Sequence, residues 1–379
     1  VYSCFCTHEE LEAERRRALA NNKPYRYGGK CFELKPDERE AKKAEGRPFT
    51  LRFRVEEGIV KFQDLVYGEK VFDAATIGDF VLARSNEMPL YLFTCAVDDC
   101  LMKITHVIRG EDGISNTPRQ IMIQRALGFE SPQFAHLPLI LGPDHTLLSK
   151  RNGSMSVAEL RAKGYLPRAL LNYLGLLGWS PPEGKEFLNL DQMVQSFDLH
   201  RVSRSSAIFD WGKLNHLNHL HLMKLPETEY LEMARQALAA AGFDASTVPA
   251  EILDKTLLAV RPNIQTLSDV NVWVNWLLKV PTPAGAEAEE VLKSPEARKV
   301  LQAALDQLQS VSEDIDARHY ETLMETLKKV TKIKGKKLFM PLRVVLTGST
   351  EGPELAQLVG VLGKEKILER IQRGLESLQ

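Results

Sequence analysis

Hydrophobic and polar residues follow two different patterns along this chain of 379 residues. Between residues 50 and 100, segments such as TLRFRV, IVKFQDLVY and LYLFTCAV run apolar or alternate between Gly, Asn and Pro breaks, which predicts strands. Beyond Pro226 nearly every segment, including ETEYLEMARQALAAAG and HYETLMETLKKV, repeats apolar residues at helical spacing. The pattern therefore predicts an α/β or α+β N-terminal portion followed by an all-α portion, with a boundary near residue 226.

Three helix starts are predicted from capping residues. Thr7 and Glu10 form a capping box, and the segment S-V-A-E that begins at Ser156 forms another. Asn116, with Pro118 just inside the first turn, predicts a third helix after the apolar strand ITHVIRG. We expect this strand and helix to be adjacent parts of one α/β layer.

Composition narrows the class of protein. The 49 basic and 50 acidic side chains give a net charge of −1, so a surface for nucleic acid needs its basic residues on one face. The five cysteines are too few for a disulfide scaffold in a chain of this length. No run approaches the roughly 20 apolar residues of a membrane span, and no secretory signal is expected at the start. A soluble cytoplasmic protein with no membrane partner is the resulting expectation.

The segment LLSKRNG at 147–153 is a candidate phosphate-binding loop, because it follows an apolar strand and a Gly-Pro-Asp-His turn. Lys150 and Arg151 can bring two cations to a polyphosphate and stabilise charge that develops during transfer. A Lys-Arg pair in a solvated surface loop is the alternative. The residues alone do not decide between the two.

Arg109, at the end of a predicted strand, is a candidate clamp for a carboxylate, with Tyr91 as its neighbour. The alternative is an internal ion pair between Arg109 and the nearby Glu111 or Asp112. The sequence leaves both interpretations open.

Three cysteines near the start predict a zinc site. Cys4 and Cys6 form a C-x-C pair, and Cys31 with Glu33 forms a C-x-E pair, so three sulfurs and one carboxylate can surround a tetrahedral ion. Tyr27 or water can supply the fourth position instead of Glu33. The competing interpretation is a set of free buried cysteines.

A cluster of lysines lies at one helix end and in the following turn. It suits the negative end of the helix dipole, and it equally suits the phosphates of an RNA. Spacing does not decide between these roles. The members of this lysine cluster are Lys328, Lys329, Lys332, Lys334, Lys336 and Lys337.

The stretch from Pro89 to Trp179 resembles the class I glutamyl-tRNA synthetases of bacteria and organelles. The segments that carry the resemblance are VDDCLMKITHVIRGEDGISNTPRQIMIQRALGFESPQFAHLPLILG, LLSKR and GYLPRALLNYLGLLGW. FDWGKL at 209–214 and LTGSTEGPELAQLVGVLGKEKILERI near the end extend it over the whole chain. The resemblance implies an acceptor-binding insertion over 1–92, the C-terminal part of a Rossmann-type catalytic domain over 93–117, a stem-contact region over 118–226 and a helical anticodon-binding domain over 227–379.

The activity that the resemblance implies is glutamate–tRNA ligation. ATP, with Mg²⁺, activates L-glutamate, and the glutamyl group passes to the 3′ end of tRNA(Glu), with tRNA(Gln) as a further partner in some organisms. We expect a monomer. A catalytically silent tRNA-binding paralogue is the alternative from a different class, and glutaminyl specificity is disfavoured because residues 227–379 read as helices and not as β-barrels.

Site residues are implied position by position. Lys150 matches the second lysine of the family's signature loop, with Ser149 and Arg151 beside it as catalytic residues. Tyr91, Arg109 and Cys95 match positions that hold the substrate glutamate. The remaining positions are those beside ATP, namely Leu148, Asp112, Gly113 and Ile140, and those facing RNA, namely Arg261, Lys332 and Lys334.

Several positions depart from the family's pattern. Leu147 replaces the first lysine of the signature loop, Cys95 replaces a common Asn, and Gly113 replaces a His or Trp. Glu33 stands where zinc-containing members of the family have a His. The two tryptophans of the helical part, Trp273 and Trp276, are predicted to lie in the core.

The H-x-G-H signature that class I synthetases carry in the first strand-to-helix turn has no match in the chain, which opens with Val1. The expectation at this point is a sequence truncated at its N-terminus.

Overall fold

The computed structural model describes residues 1–148, 155–278, 281–311 and 315–378. The chain forms two compact units. The first contains residues 1–148, 175–186 and 191–209, and the second contains the described residues of 149–174, 187–190 and 210–379. The four domains drawn from the sequence stay predictions.

The described elements follow the chain in this order: β1 (Tyr2–Cys4), α1 (His8–Ala20), α2 (Pro36–Ala44), β2 (Thr50–Phe53), β3 (Ile59–Asp64), β4 (Gly68–Asp73), α3 (Ala74–Ile77), β5 (Phe80–Ala83), α4 (Tyr91–Leu101), β6 (His106–Gly110), α5 (Thr117–Ala126), β7 (Gln133–Leu137), β8 (Ile140–Leu141), α6 (Val157–Ala162), α7 (Pro167–Leu176), α8 (Leu190–Ser196), β9 (Ala207–Ile208), α9 (Trp211–Lys224), α10 (Glu227–Ala240), α11 (Ala250–Val260), α12 (Asp269–Leu278), α13 (Ala286–Lys293), α14 (Pro295–Gln309), α15 (Ala317–Thr331), α16 (Lys336–Thr347) and α17 (Leu355–Glu376).

The first unit contains an antiparallel sheet and a mixed sheet. The antiparallel sheet has the order β1-β2-β5, and the mixed sheet has the order β4-β3-β7-β6. In the mixed sheet β3 pairs with β4 as an antiparallel hairpin, whereas β7 runs parallel to both of its neighbours. β6, α5 and β7 therefore form a β-α-β unit, which is the element expected of the second part of a Rossmann-type domain.

The predicted helix starts are confirmed. The Thr7 hydroxyl accepts from the Glu10 amide, and the Glu10 carboxylate accepts from the Thr7 amide, so the capping box precedes α1. Ser156 and Glu159 form the same box ahead of α6. Asn116 precedes α5, with a proline in the first turn, although the Asn116 side chain makes no capping hydrogen bond.

The second unit is helical, and its core is continuous. Large aliphatic side chains from α9, α11, α14, α16 and α17 are almost fully buried, including Leu222, Leu257, Leu301, Leu342 and Ile371. Among the described residues the last strand is β9, so the predicted all-α C-terminal portion is confirmed. No helix within the described ranges is long and apolar enough to cross a bilayer.

A buried histidine predicts pH-dependent stability of the second unit. Burial lowers the pKa of His221 to about 4 from its usual 6.5, and the positive charge of Arg168 adds to the effect. The His221 Nε2–H donates to Asn172 Oδ1 over 3.0 Å, so the neutral ring is held in place.

Because the unfolded chain binds the proton more readily, stability that is present above pH 6.5 should be lost as the pH falls toward 4. We expect a loss of about 2 kcal/mol from this residue between pH 7 and pH 4.5, which urea unfolding at the two pH values measures against His221→Gln. If the two proteins lose the same stability across this window, His221 does not titrate as stated.

Candidate active site and metal site

The candidate active site of the first unit is built on the parallel pair β6 and β7. Arg109 of β6 and His136 of β7 are partners in the ladder, so their side chains lie on the same face of the sheet. The Arg109 Nε donates to His136 Nε2 over 3.1 Å. The Arg109 Nη2 donates to the Gly113 carbonyl, to Thr117 Oγ1 and to Gln120 Oε1 over 2.8 to 3.0 Å. The strand and the first turns of α5 thus fix one edge of the guanidinium.

Behind Arg109 lies a buried carboxylate–imidazole pair. His136 and Asp64 are at most 1% exposed, and Asp64 Oδ2 lies 2.6 Å from His136 Nδ1. Burial alone would raise the pKa of Asp64, but hydrogen bonds from the Tyr67 and Val66 amides and from His136 lower it overall. Since an arginine Nε can only donate, His136 Nε2 accepts and Nδ1 carries the proton toward Asp64. His136 is therefore the neutral link between an anion and a cation.

Tyr91 and Cys95 lie at the other side of Arg109. They are one turn apart on α4, which places them on the same helix face. Interaction with the Cys95 thiol, followed by burial, raises the pKa of Tyr91, and the positive charge of Arg109 opposes that shift. Tyr91 is nevertheless 59% exposed, so the group is open to solvent. The structure thus brings together the three residues that the sequence assigned to the substrate.

The alternative ion pair of Arg109 is absent from this arrangement. The Glu111 carboxylate accepts from the Tyr67 hydroxyl over 2.6 Å and from the Leu139 amide over 3.4 Å. Among the described residues no carboxylate oxygen lies within 4.0 Å of the Arg109 guanidinium. The Asp99 carboxylate, one turn beyond Cys95 on α4, interacts with the charge of Arg109 from beyond that distance, so the guanidinium stays available for an anionic ligand that binds it directly.

Gly113 lies against Arg109. A Cβ atom built on Gly113 would be 2.4 Å from Arg109 Nε, which is far closer than real side chains come. Any larger residue in this turn would push the guanidinium from its contacts. The departure from the family's pattern at Gly113 thus has a direct consequence for where Arg109 lies.

The positions predicted to lie beside ATP are only partly described. The Leu148 amide donates to the Ile140 carbonyl over 3.2 Å, so these two residues meet at β8. Asp112 is exposed in the turn that follows β6. Ser149, Lys150 and Arg151 lie outside the described residues.

The three N-terminal cysteines form a cluster. Their sulfurs lie within 4.8 Å of one another, with Cys6 and Cys31 3.5 Å apart. Zn–S bonds of about 2.3 Å in a tetrahedron separate the sulfurs by roughly 3.8 Å, so the cluster has the dimensions of a zinc site. Among the described acidic and histidine side chains none joins the cluster, and Glu33 is exposed.

Tyr27 fills the position that Glu33 was expected to take. Its hydroxyl lies 3.5 Å from Cys4 Sγ and 3.4 Å from Cys6 Sγ, and it accepts from the Cys31 amide over 2.9 Å. Arg52 lies over the Tyr27 ring, with its guanidinium carbon 4.0 Å from the ring centroid. Although burial opposes it, hydrogen bonds from Tyr27 and Arg52 hold the pKa of Cys4 below its usual value.

The candidate RNA-binding residues lie in the second unit. The side chains of the lysine cluster are exposed at the end of α15 and the start of α16, and Lys337 pairs with Glu296 over 2.5 Å. Arg261 instead donates to the carbonyls of Leu222 and Leu225 at the end of α9. This contact gives Arg261 a capping role.

Trp273 packs against the helical core, as predicted. The side chain of Trp276 lies outside the described part of the chain. The RNA-facing positions stay predictions.

Comparisons with known proteins show which families the chain matches. Residues 1–216 match the family described as "tRNA synthetases class I (E and Q), catalytic domain", and residues 229–375 match the family described as "Anticodon binding domain". The chain is 44% identical to "Glutamate--tRNA ligase 2" of Syntrophus aciditrophicus, covering 99% of this chain and 77% of the relative. It is 44% identical to "Glutamate--tRNA ligase" of Aquifex aeolicus, covering 100% and 80%.

A solved structure is similar to this chain over its whole length. A glutamate tRNA ligase from Elizabethkingia meningosepticum, in complex with its amino acid, superposes with a TM-score of 0.85 at 28% identity, covering 100% of this chain and 80% of that one.

Proposed function

The chain belongs to the class I tRNA synthetases for glutamate and glutamine, and from that premise we propose that it acts as a glutamate–tRNA ligase. The reaction joins L-glutamate to ATP as glutamyl-adenylate and then transfers the glutamyl group to the 3′ end of tRNA(Glu). The catalytic family over residues 1–216 and the helical anticodon-binding family over 229–375 occur together in one chain, as this two-step reaction with a long RNA substrate requires.

One observation supports glutamate as the bound amino acid. Arg109 is fixed along one edge, has no carboxylate within 4.0 Å among the described residues, and lies beside an exposed tyrosine. A carboxylate of the substrate would complete this arrangement through a charge-assisted hydrogen bond. Tyr91 and Cys95 would bound the same pocket and orient the substrate.

Residues around β8 would hold ATP. Ile140 and Leu148 offer apolar contact to the nucleotide, and Asp112 and Gly113 lie in the turn that follows the strand of Arg109. Mg²⁺ bound with ATP would neutralise part of the phosphate charge. We assign Lys150, with Ser149 and Arg151, to the phosphate at which the glutamate carboxylate attacks.

The RNA partner is tRNA(Glu), with tRNA(Gln) as a further substrate. Lys332 and Lys334 are exposed and belong to the lysine cluster, where they would contact RNA phosphates. We expect a monomer that acts in the cytoplasm.

Charging assays on the full-length gene product test this function. Labelled glutamate should be esterified to a tRNA(Glu) transcript, whereas labelled glutamine should not. Charging of tRNA(Gln) with glutamate separates a discriminating from a non-discriminating enzyme. Binding of tRNA without charging would instead identify the silent paralogue that Leu147, Cys95 and Gly113 favour.

A zinc ion would fit the cysteine cluster, since the spacing of the sulfurs and the phenol fits a tetrahedral ion. Cys4, Cys6, Cys31 and Tyr27 would supply three thiolates and one phenolate. Four protein ligands leave no open position, so the ion would stabilise the fold around β1 and α1. Arg52 would offset part of the negative charge of such a site.

Elemental analysis tests the metal and its fourth ligand. Protein purified without added metal should contain one zinc, and Tyr27→Phe should weaken zinc binding at least as much as the roughly 10- to 100-fold typical of a lost outer-shell contact. Glu33→Gln should leave the zinc content unchanged. Tyr25→Phe, which alters a more exposed tyrosine two residues away, is the matched control. A zinc content near zero in the unaltered protein would contradict the site itself.

A further inference from the structure

The buried pair of Asp64 and His136 has no role in the function proposed so far. Both side chains are almost fully buried, and burying a charged or polar group costs free energy unless its hydrogen bonds are made. Here the pair is fully bonded: Asp64 accepts from His136 Nδ1 and from three backbone amides, and His136 Nε2 accepts from Arg109. The two side chains that contact His136 Nε2 differ in burial, since Thr117 is fully buried and Arg109 is only half-buried.

We propose that His136, held in its tautomer by Asp64, is a positioning residue that fixes the Arg109 guanidinium for the carboxylate of the amino-acid substrate. The inference rests on the proposed function, because it takes Arg109 as the residue that binds glutamate. His136 does not touch the substrate; it acts through Arg109.

The geometry explains why such a residue is needed. The hydrogen bonds of Arg109 engage Nε and Nη2, and among the described residues Nη1 has no hydrogen-bond partner. Among the described residues His136 is the partner of Nε, so its contact, together with those of Nη2, fixes the guanidinium plane. Gly113 leaves the space that this placement occupies.

A purely structural pair would behave differently. If Asp64 and His136 only stabilise the sheet, their loss should lower the free energy of unfolding and leave the substrate constants of the folded protein unchanged. If they act through Arg109, the KM for glutamate should rise while the KM for ATP stays within about twofold. KM is the informative constant, because it does not depend on the fraction of protein that has folded.

Two substitutions of His136 separate its two contacts. His136→Asn keeps an amide N–H for Asp64 and withdraws the acceptor from Arg109, whereas His136→Gln keeps an acceptor near the position of Nε2. Misplacement of a binding group by about 1 Å can cost roughly 100-fold, so we expect His136→Asn to raise the KM for glutamate by about 10- to 100-fold. His136→Gln should restore part of this loss.

The deciding measurement is a double-mutant cycle that combines His136→Asn with Arg109→Ala. ATP–pyrophosphate exchange by the full-length gene product, with tRNA present, gives the KM for glutamate of each variant. His136→Asn should add no further increase in the KM for glutamate once Arg109 is removed. His221→Asn, which alters another buried histidine far along the chain, is the control for lost stability and should leave the KM unchanged.

The outcomes distinguish the positioning role of His136 from the proposed role of Arg109 in binding glutamate. An unchanged glutamate KM in His136→Asn, or an increase that adds in full to that of Arg109→Ala, would overturn the positioning role. An unchanged glutamate KM in Arg109→Ala would instead overturn the assignment of Arg109. If His136→Asn does not fold, Gly113→Ala moves Nε of Arg109 instead and should raise the KM for glutamate more than the KM for ATP. A glutamate KM within about twofold of that of the unaltered protein would overturn the inference.

Discussion

Replacing Arg109 with alanine is expected to raise the KM for glutamate by roughly 10- to 150-fold and to change the KM for ATP far less. The guanidinium meets no carboxylate within the described residues, so its charge is available for the substrate. A lost charge-assisted hydrogen bond costs about 1.5–3 kcal/mol, which corresponds to that range. Steady-state ATP–pyrophosphate exchange at varied glutamate and varied ATP measures both constants.

Arg119→Ala is the matched control for this variant. Arg119 is a half-buried arginine on α5 whose guanidinium donates to the Ser115 carbonyl, so its loss should not affect glutamate in particular. Equal increases in the KM for glutamate and for ATP in Arg109→Ala would show that Arg109 only supports the strand and the turn.

Replacing Lys150 with alanine is expected to slow adenylate formation by the largest factor. One preorganised cation at the phosphate under attack contributes roughly 2–4 kcal/mol to the barrier, and its contribution arises as charge develops. Binding of glutamate and of tRNA should change much less. Single-turnover formation of glutamyl-adenylate measures the rate, with Lys163→Ala, an exposed lysine of the next helix end, as the control. An unchanged rate would remove Lys150 from the mechanism.

Much of the fold could be predicted from local rules. The capping boxes at Thr7 and Ser156 depend on side chains three residues apart, so the sequence contains all of the information that they need. The change from strands to helices likewise shows in the sequence, as a change in the spacing of apolar residues along the chain. The grouping of Tyr91, Cys95 and Arg109 depended on the family resemblance, because α4 and β6 are separate elements whose relative position no local pattern specifies.

The buried pair behind Arg109 was missed. Asp64 ends an apolar strand, and His136 lies in another apolar strand 72 residues later. Taken alone, Asp64 is typical of an aspartate at a strand end, and His136 is typical of a histidine in a core. Their contact follows from the register of β3, β7 and β6, which no local pattern specifies. A buried carboxylate within an apolar run was the available signal, since such a group requires a partner.

Sequence spacing also failed to show which side chain lies beside the three cysteines. The spacing C-x-E favoured Glu33 because it repeats the C-x-C pattern. In the structure the turn before Cys31 brings Tyr27 to the sulfurs, and the Cys31 amide holds its hydroxyl there. The sequence spacing predicted the cysteine cluster, whereas the position of Tyr27 beside it follows from the turn before Cys31.

The most direct test of the proposed ligase activity is glutamate-dependent exchange of pyrophosphate into ATP by the full-length gene product in the presence of tRNA(Glu). Exchange is expected with glutamate and not with glutamine, and the KM for glutamate is expected to rise in Arg109→Ala. Tight binding of tRNA(Glu) with no exchange at any glutamate concentration would contradict the proposed activity and would identify a tRNA-binding protein without ligase activity.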